Sequence, residues 1–330
     1  DETSHITAAS TESYCTTASI KSKKASISDQ ESTNSNLPPK SFLQLKGISV
    51  GNFNMNCNFH VEAALEIMMR NELSILAIQK HTPWNRVLSE AQTTSITRHC
   101  EAWGFFVTIS KLQILIIDKQ LLACHRETKI FEDGRIIKCR FEIAKNQFVT
   151  FLPVYGIPHS SNKDHQNLTE ETGENKKLQA MHQVRHHLNS IISTAIDSSD
   201  FLYIFGDLQD TPDNTKTFHH GSCRIAKHPL GIVKTCEDFG LTCSIYSHMD
   251  TLEKPIISRH GFKGGRFIDG MYTTSSSLIN ILGTSIIKDS GINSDHDLVI
   301  SKIDLGIEQY RINTAKEERF DFKSIMNVTV

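Results

Sequence analysis

The run Phe201-Leu-Tyr-Ile-Phe-Gly-Asp207 constrains this chain more than any other segment. Phe201, Tyr203 and Phe205 alternate with Leu202, Ile204 and Gly206, so neither face of an extended segment here is polar. Such a strand must be covered on both sides, which places it in the middle of a layered fold. The run then ends in a carboxylate and an amide: Asp207 and Gln209 sit two apart and point to the same side where the strand leaves its sheet. That arrangement suits a phosphate, a water or a hard cation. Asp210-Thr-Pro-Asp213 is also good turn chemistry in its own right, so these residues alone leave both readings open.

Other segments fill in the layers. Phe42–Phe53 and Leu73–Ile78 read as buried strands separated by a helix over 59–71, with Val61, Ala64, Leu65, Met68 and Met69 on one face. A further helix is expected over 87–103. Short strands are expected at Phe105–Ile109, Gln113–Ile117, Leu121–Arg126 and Ile136–Ile143, the turn at Glu132-Asp-Gly134 joining the last two as a hairpin. Phe148–Tyr155 is another apolar strand, followed by a polar loop over 159–174 and a long helix over 175–197. Strands at Phe267–Tyr272, Ile281–Lys288 and Leu298–Ile303 close the chain. So many strands among a few helices exclude a dinucleotide-binding α/β domain and a helix-free sandwich. The expected architecture is a four-layer α/β/β/α sandwich, two mostly antiparallel sheets flanked by helices.

Composition adds limits. Lys and Arg total 35 against 37 Asp and Glu, so any basic footprint for nucleic acid is local. Eight cysteines lack a CxxC pair, which speaks against a zinc ribbon and against a disulfide scaffold, and reduced thiols imply an intracellular protein. No apolar run is long enough for a membrane span. Residues 1–40 are rich in Ser, Thr, Asn and Lys and read as a disordered lead-in; 41–306 read as the domain and 307–330 as a tail or linker. The first residue is Asp rather than Met, as expected of a piece of a longer chain.

Polar residues gather at strand ends: Asn54, Gln79 with Lys80, Tyr155, and Asp207 with Gln209. Arg266-Phe-Ile-Asp269 and Ser294-Asp-His296 follow late in the chain. A histidine with carboxylates to orient it can do acid–base work near neutral pH, though each motif alone is as readily a turn or polar loop. His182, His186 and His187 have a spacing that can bind zinc but lack a further ligand in sequence, so a solvated helix face is the simpler reading. Cys236 and Cys243 read as core thiols.

In their order, these motifs resemble the endonuclease/exonuclease/phosphatase superfamily, to which DNase I and the apurinic endonucleases belong. The resemblance covers about 45 to 305. Phe53-Asn54, Leu76-Ala-Ile-Gln79, Val154-Tyr-Gly-Ile-Pro158, Gly206-Asp-Leu-Gln209, Arg266–Tyr272 and Ser294–Val299 carry it. It implies a DNase I-like fold and a phosphodiesterase dependent on Mg2+ or Mn2+. By the same resemblance Asp207 activates or positions the attacking water, and Gln209 holds the phosphate and the developing oxyanion. His296, oriented by Asp269, contacts the scissile phosphate, and Tyr155 bonds a phosphate oxygen. Asn54 and Asp295 help to place the metal.

Two positions depart from the family pattern. Gln209 replaces an Asn, and Lys80 stands where the family places its principal metal-binding Glu. An ammonium there would repel Mg2+, or supply part of its positive charge itself. Within the superfamily, the loop after Asp207, the segment Ile256–Gly261 and the low-complexity lead-in look like endonuclease domains of retroelement polyproteins. That likeness implies DNA nicking, fusion to a reverse transcriptase and action in the nucleus. Arg259 and Arg266 would contact DNA phosphates. Two rivals stay open on sequence: an inactive member kept as a nucleic-acid-binding or scaffold module, and a phosphatase of a small phosphorylated metabolite.

Overall fold

A computed structural model describes residues 47–83, 86–158, 170–210, 229–245, 257–261 and 264–305. The expected lead-in, the C-terminal tail, the start of the first strand at Phe42, most of the polar loop after Tyr155 and the Thr211-Pro-Asp213 turn lie outside these residues.

Two six-stranded sheets form the centre. The first has the order β13-β14-β1-β2-β4-β3, from Ile281–Ile287, Leu298–Ile303, Ile48–Asn54, Ile75–Gln79, Gln113–Asp118 and Phe105–Ile109. The second has the order β5-β6-β7-β8-β12-β9, from His125–Phe131, Ile136–Ala144, Gln147–Tyr155, Phe201–Asp207, Asp269–Thr273 and Thr242–Cys243. A two-stranded ribbon of β10 (Arg259–Gly261) and β11 (Gly264–Arg266) stands apart from both. Pairing is antiparallel throughout the two sheets except at one junction in each, β1 with β2 and β7 with β8. Parallel neighbours need a crossover, and each pair has its helix: α1 (Val61–Arg70) and α3 (Glu170–Asp197).

Side-chain alternation sorts the apolar residues into three cores. Ile48, Val50, Ile75, Ala77, Leu115 and Ile117 face inward and meet Phe151, Tyr203, Phe205 and Met271 of the other sheet. On the outer face of the first sheet, Leu76, Ile78, Ile114 and Ile116 pack on Ala64, Leu65 and Met68 of α1 and on Ile96 and Cys100 of α2 (Glu90–Ala102). Ser89 and Gln92 cap α2 reciprocally. The second sheet buries Leu152, Val154, Leu202 and Ile204 under Val184, Leu188, Ile191 and Ile192 of α3, with Val233 and Cys236 of α4 (Ile232–Asp238). The strand at 201 is thus covered on both faces. Cys236 and Cys243 are buried in this outer core, as core thiols.

Two expectations shift. Residues Lys119–Ala123 form a 3-10 turn rather than a strand, because Asp118 accepts a hydrogen bond from the Gln120 backbone and caps it; the strand begins at His125. Helix α3 starts at Glu170, earlier than its apolar face indicates, while Met181, Val184, Leu188 and Ala195 carry its burial. His182 and His186 are exposed and His187 pairs with Glu132 at 2.6 Å, so the solvated-face reading stands for this trio. No helix among the described residues is long and apolar enough to cross a membrane.

Candidate active site

The site forms where the inward faces of the two sheets run out of apolar residues. Across the first sheet, Asn54, Gln79 and Gln113 stand in register on β1, β2 and β4. Across the second, Tyr155, Asp207 and Asp269 stand in register on β7, β8 and β12. Two polar rows therefore face each other at the carboxyl ends of the two parallel pairs, the place where open α/β sheets expose ligand sites. Gln113 closes the far end: its amide donates to the Arg135 carbonyl at 2.7 Å and the Gly134 carbonyl at 3.0 Å. Gly206 is what lets β8 lie flush against β7 just before the carboxylate. At φ 148° a side chain is disfavoured there, and a Cβ would stand 1.9 Å from the Val154 carbonyl oxygen.

Asp207 is fully buried. Its Oδ2 accepts from Asn54 Nδ2 at 2.7 Å and Gln209 Nε2 at 2.6 Å, and its Oδ1 accepts from the Gln209 backbone at 3.2 Å. Gln209 reaches back to Asp207 because the chain turns left-handed there, φ 54°. Its amide thus holds the carboxylate directly. Asn54 has its orientation fixed by a second contact, Oδ1 accepting from the Asn56 backbone at 2.9 Å.

His296 brings the third element. Its Nδ1 is 2.8 Å from Asp269 Oδ2, and its Nε2 is 3.9 Å from both Asp207 Oδ2 and Asp295 Oδ1. Burial by itself would depress the imidazole, but the carboxylates of Asp269, Asp207 and Asp295 outweigh it and raise His296 to about 9. The imidazolium then donates Nδ1–H to Asp269 and aims Nε2–H into the gap between Asp207 and Asp295. Burial pushes Asp269 upward, against the pull of His296. Ser258 steadies it: Oγ donates to Asp269 Oδ2 at 2.9 Å and accepts from the Asp269 and Ile268 backbone amides at 3.0 and 3.1 Å.

The ribbon contributes Arg259, whose Nε is 2.9 Å from Asp295 Oδ2 and whose backbone bridges to His296. Arg266 lies opposite Arg259 in the ribbon register. Tyr155 is buried beside Asp207, its ring 5.4 Å from the Arg135 guanidinium. Burial, and then the charge of Asp207, drive its phenol well above the usual range, so it stays protonated and keeps an O–H to donate. Ser294, part of the same motif as His296, ties the loop to β1 by donating to the Asn54 carbonyl at 2.6 Å.

All the residues the motifs singled out thus converge, apart from Arg266, which the ribbon carries alongside. Sequence reasoning missed Ser258 and Gln113. A serine in a loop-like segment and a glutamine opening a strand carry no signal of their own.

Asp207, Asp269 and His296 form an acidic and imidazole cluster whose ligand atoms lie within 4.8 Å of one another. A hard Mg2+ or Mn2+ asks for unengaged oxygens, and among the described residues Asp269 Oδ1 and Gln79 Oε1 are buried without a hydrogen-bond partner. Asp269 and His296 spend their facing atoms on each other, Asp207 Oδ2 accepts two hydrogen bonds, and Asp295 Oδ2 is paired with Arg259.

No protein-family model and no curated protein match this chain. Its fold, by contrast, is shared with solved structures. An AP endonuclease from Leishmania major aligns with TM-score 0.62 at 10% identity, covering 78% of this chain and 88% of that one. A 3'-5' exonuclease from Neisseria meningitidis aligns at 0.58 and 13%, covering 78% and 100%. An AP endonuclease from Archaeoglobus fulgidus aligns at 0.55 and 16%, again covering 78% and 100%. The chain has the DNase I-like fold.

Proposed function

We propose that this protein hydrolyses phosphodiester bonds in DNA, cutting one strand as the endonuclease of a retroelement. The observation that carries the reading is the buried Asp269–His296 pair presenting Nε2–H across a 3.9 Å gap to Asp207. Its support from relatives is the fold shared with an exonuclease and AP endonucleases. The sequence segments at 206–213 and 256–269 carry the retroelement part, and with it fusion to a reverse transcriptase and action in the nucleus.

On this reading the residues take the following roles. In an in-line displacement the attacking and leaving oxygens lie on opposite sides of phosphorus. Two groups 3.9 Å apart cannot serve both ends, so Asp207 and His296 act at adjacent positions. Asp207 accepts a proton from the attacking water as the new P–O bond forms. His296 donates a hydrogen bond to a non-bridging phosphoryl oxygen, where charge builds in the transition state. The ester P–O bond breaks to leave a 3'-hydroxyl, its oxygen taking a proton from solvent. Asn54 and Gln209 hold Asp207 to one orientation throughout, and Asp269 with Ser258 does the same for His296.

A plasmid-nicking assay tests this. Asp207→Asn and His296→Ala should each slow nicking by about a hundredfold or more. Equal background cutting by all three proteins would sink the reading.

A further inference from the structure

His296 sits on a short loop, Ser294–Asp297, that belongs to neither sheet. Ser294 fastens one end of it to β1. The other end is held by the ribbon, where Ser258–His260 runs antiparallel to Asp295–Asp297. The His260 amide donates to the Asp295 carbonyl at 2.6 Å, the Asp297 amide donates to the Ser258 carbonyl at 2.7 Å, and Arg259 bridges to His296 between them. Side chains close this ladder on both flanks. Arg259 Nε lies 2.9 Å from Asp295 Oδ2, and His260 Nε2 lies 2.8 Å from Asp297 Oδ2.

The two flanks differ in what water can do for them. The Asp295 side chain is 32% exposed and that of Asp297 only 3%. Among the described residues, His260 is the one side chain that pairs with Asp297. A carboxylate that water barely reaches depends on its partner, and removing the partner leaves a buried charge uncompensated. Asp297 would then turn toward solvent, and His296 is the residue before it. A shift of the loop by about 0.8 Å stretches the 2.8 Å contact from His296 Nδ1 to Asp269 past hydrogen-bonding length.

We propose that His260 is a positioning residue for phosphodiester hydrolysis: through Asp297 it fixes the loop from which His296 addresses the phosphoryl oxygen. This rests on the phosphodiesterase reading and deepens it. The ionised carboxylate of Asp297 can only accept, which assigns a proton to His260 Nε2. That proton stays where it is. His260 donates one hydrogen bond and takes no part in the proton balance of hydrolysis.

Three measurements test it, one of them independent of turnover. In proton NMR, the low-field Nδ1–H resonance of His296, identified by its loss in His296→Ala, should shift or broaden in His260→Ala. It should return in His260→Gln, whose amide N–H can still donate to Asp297. In plasmid nicking, kcat should fall about tenfold in His260→Ala with KM held within about twofold, and His260→Gln should recover most of the loss. The double variant His260→Ala/Asp297→Asn should be no slower than the slower single variant, because both changes act on one contact. A resonance unmoved in His260→Ala, an unchanged kcat, or losses that multiply in the double variant would overturn the proposal. A raised KM with kcat held would overturn it too, and would make His260 a phosphate contact. Absence of nicking by the wild type would count instead against the phosphodiesterase itself, while the resonance still decides whether His260 orders His296.

Discussion

Replacing Ser258 with alanine is the most discriminating perturbation of this site, because one hydroxyl does three things at once. It donates to Asp269 Oδ2 at 2.9 Å and accepts from two backbone amides, and the residue is fully buried. The lost bond to a carboxylate is worth about 1.5–3 kcal/mol, and each buried amide left without an acceptor costs about 1–3 kcal/mol. The two amides share one oxygen, and a water can enter the space vacated by the hydroxyl, so the lower end of the sum applies, about 3 kcal/mol. Urea denaturation at neutral pH followed by far-ultraviolet circular dichroism measures it, the midpoint moving while the slope stays constant. The same change frees Asp269 to rotate and so loosens His296, which predicts about a tenfold fall in kcat with KM little altered. A loss of stability below about 1 kcal/mol would refute the hydrogen-bond reasoning. A large loss with kcat unchanged would show that Asp269 needs no support to orient His296.

Burial holds His81 neutral, lowering it to about 4 against the pull of its bond to the Leu112 carbonyl. The unfolded chain takes up a proton at this residue from about pH 6.5 downward and the folded chain does not, so stability is full above that pH and falls toward pH 4. At pH 5 the loss should be about 2 kcal/mol relative to pH 7, and His81→Gln should remove that share; identical pH dependence in the two proteins would refute it. Gly206→Ala should cost at least about 3 kcal/mol, since the new Cβ would stand 1.9 Å from a backbone carbonyl of the neighbouring strand. A thermal midpoint lowered by less than about 5 °C would contradict the register of β7 on β8.

The segment from Phe201 to Gln209 shows how far sequence could go. Its two apolar parities announced a central strand, because that signal is local and periodic, whereas the polar residues at its end pointed to a site only in company with the other strand-end motifs. Asn54, Tyr155, Asp269 and His296 were legible for the same reason, each ending or adjoining an apolar run. The strand expected from Leu121 was misplaced because a side-chain cap at Asp118, a contact between neighbours, outweighed a short apolar pattern. Ser258 was illegible, since its importance consists of contacts made across the fold to Asp269.

By itself the sequence determined that two sheets would be buried between helices and that carboxylates and an imidazole would stand at strand ends, since burial follows from periodicity. It also put a lysine at the end of β2. Only the tertiary structure decided what these groups do to one another. Register set Asp207 beside Asp269 and brought Asn54 across the layer to it, left-handed turns folded Gln209 onto the carboxylate and Lys80 onto Asn56, and the ribbon delivered Ser258 and Arg259. Charges separated by a hundred residues of chain interact only through distance, and distance is a property of the fold.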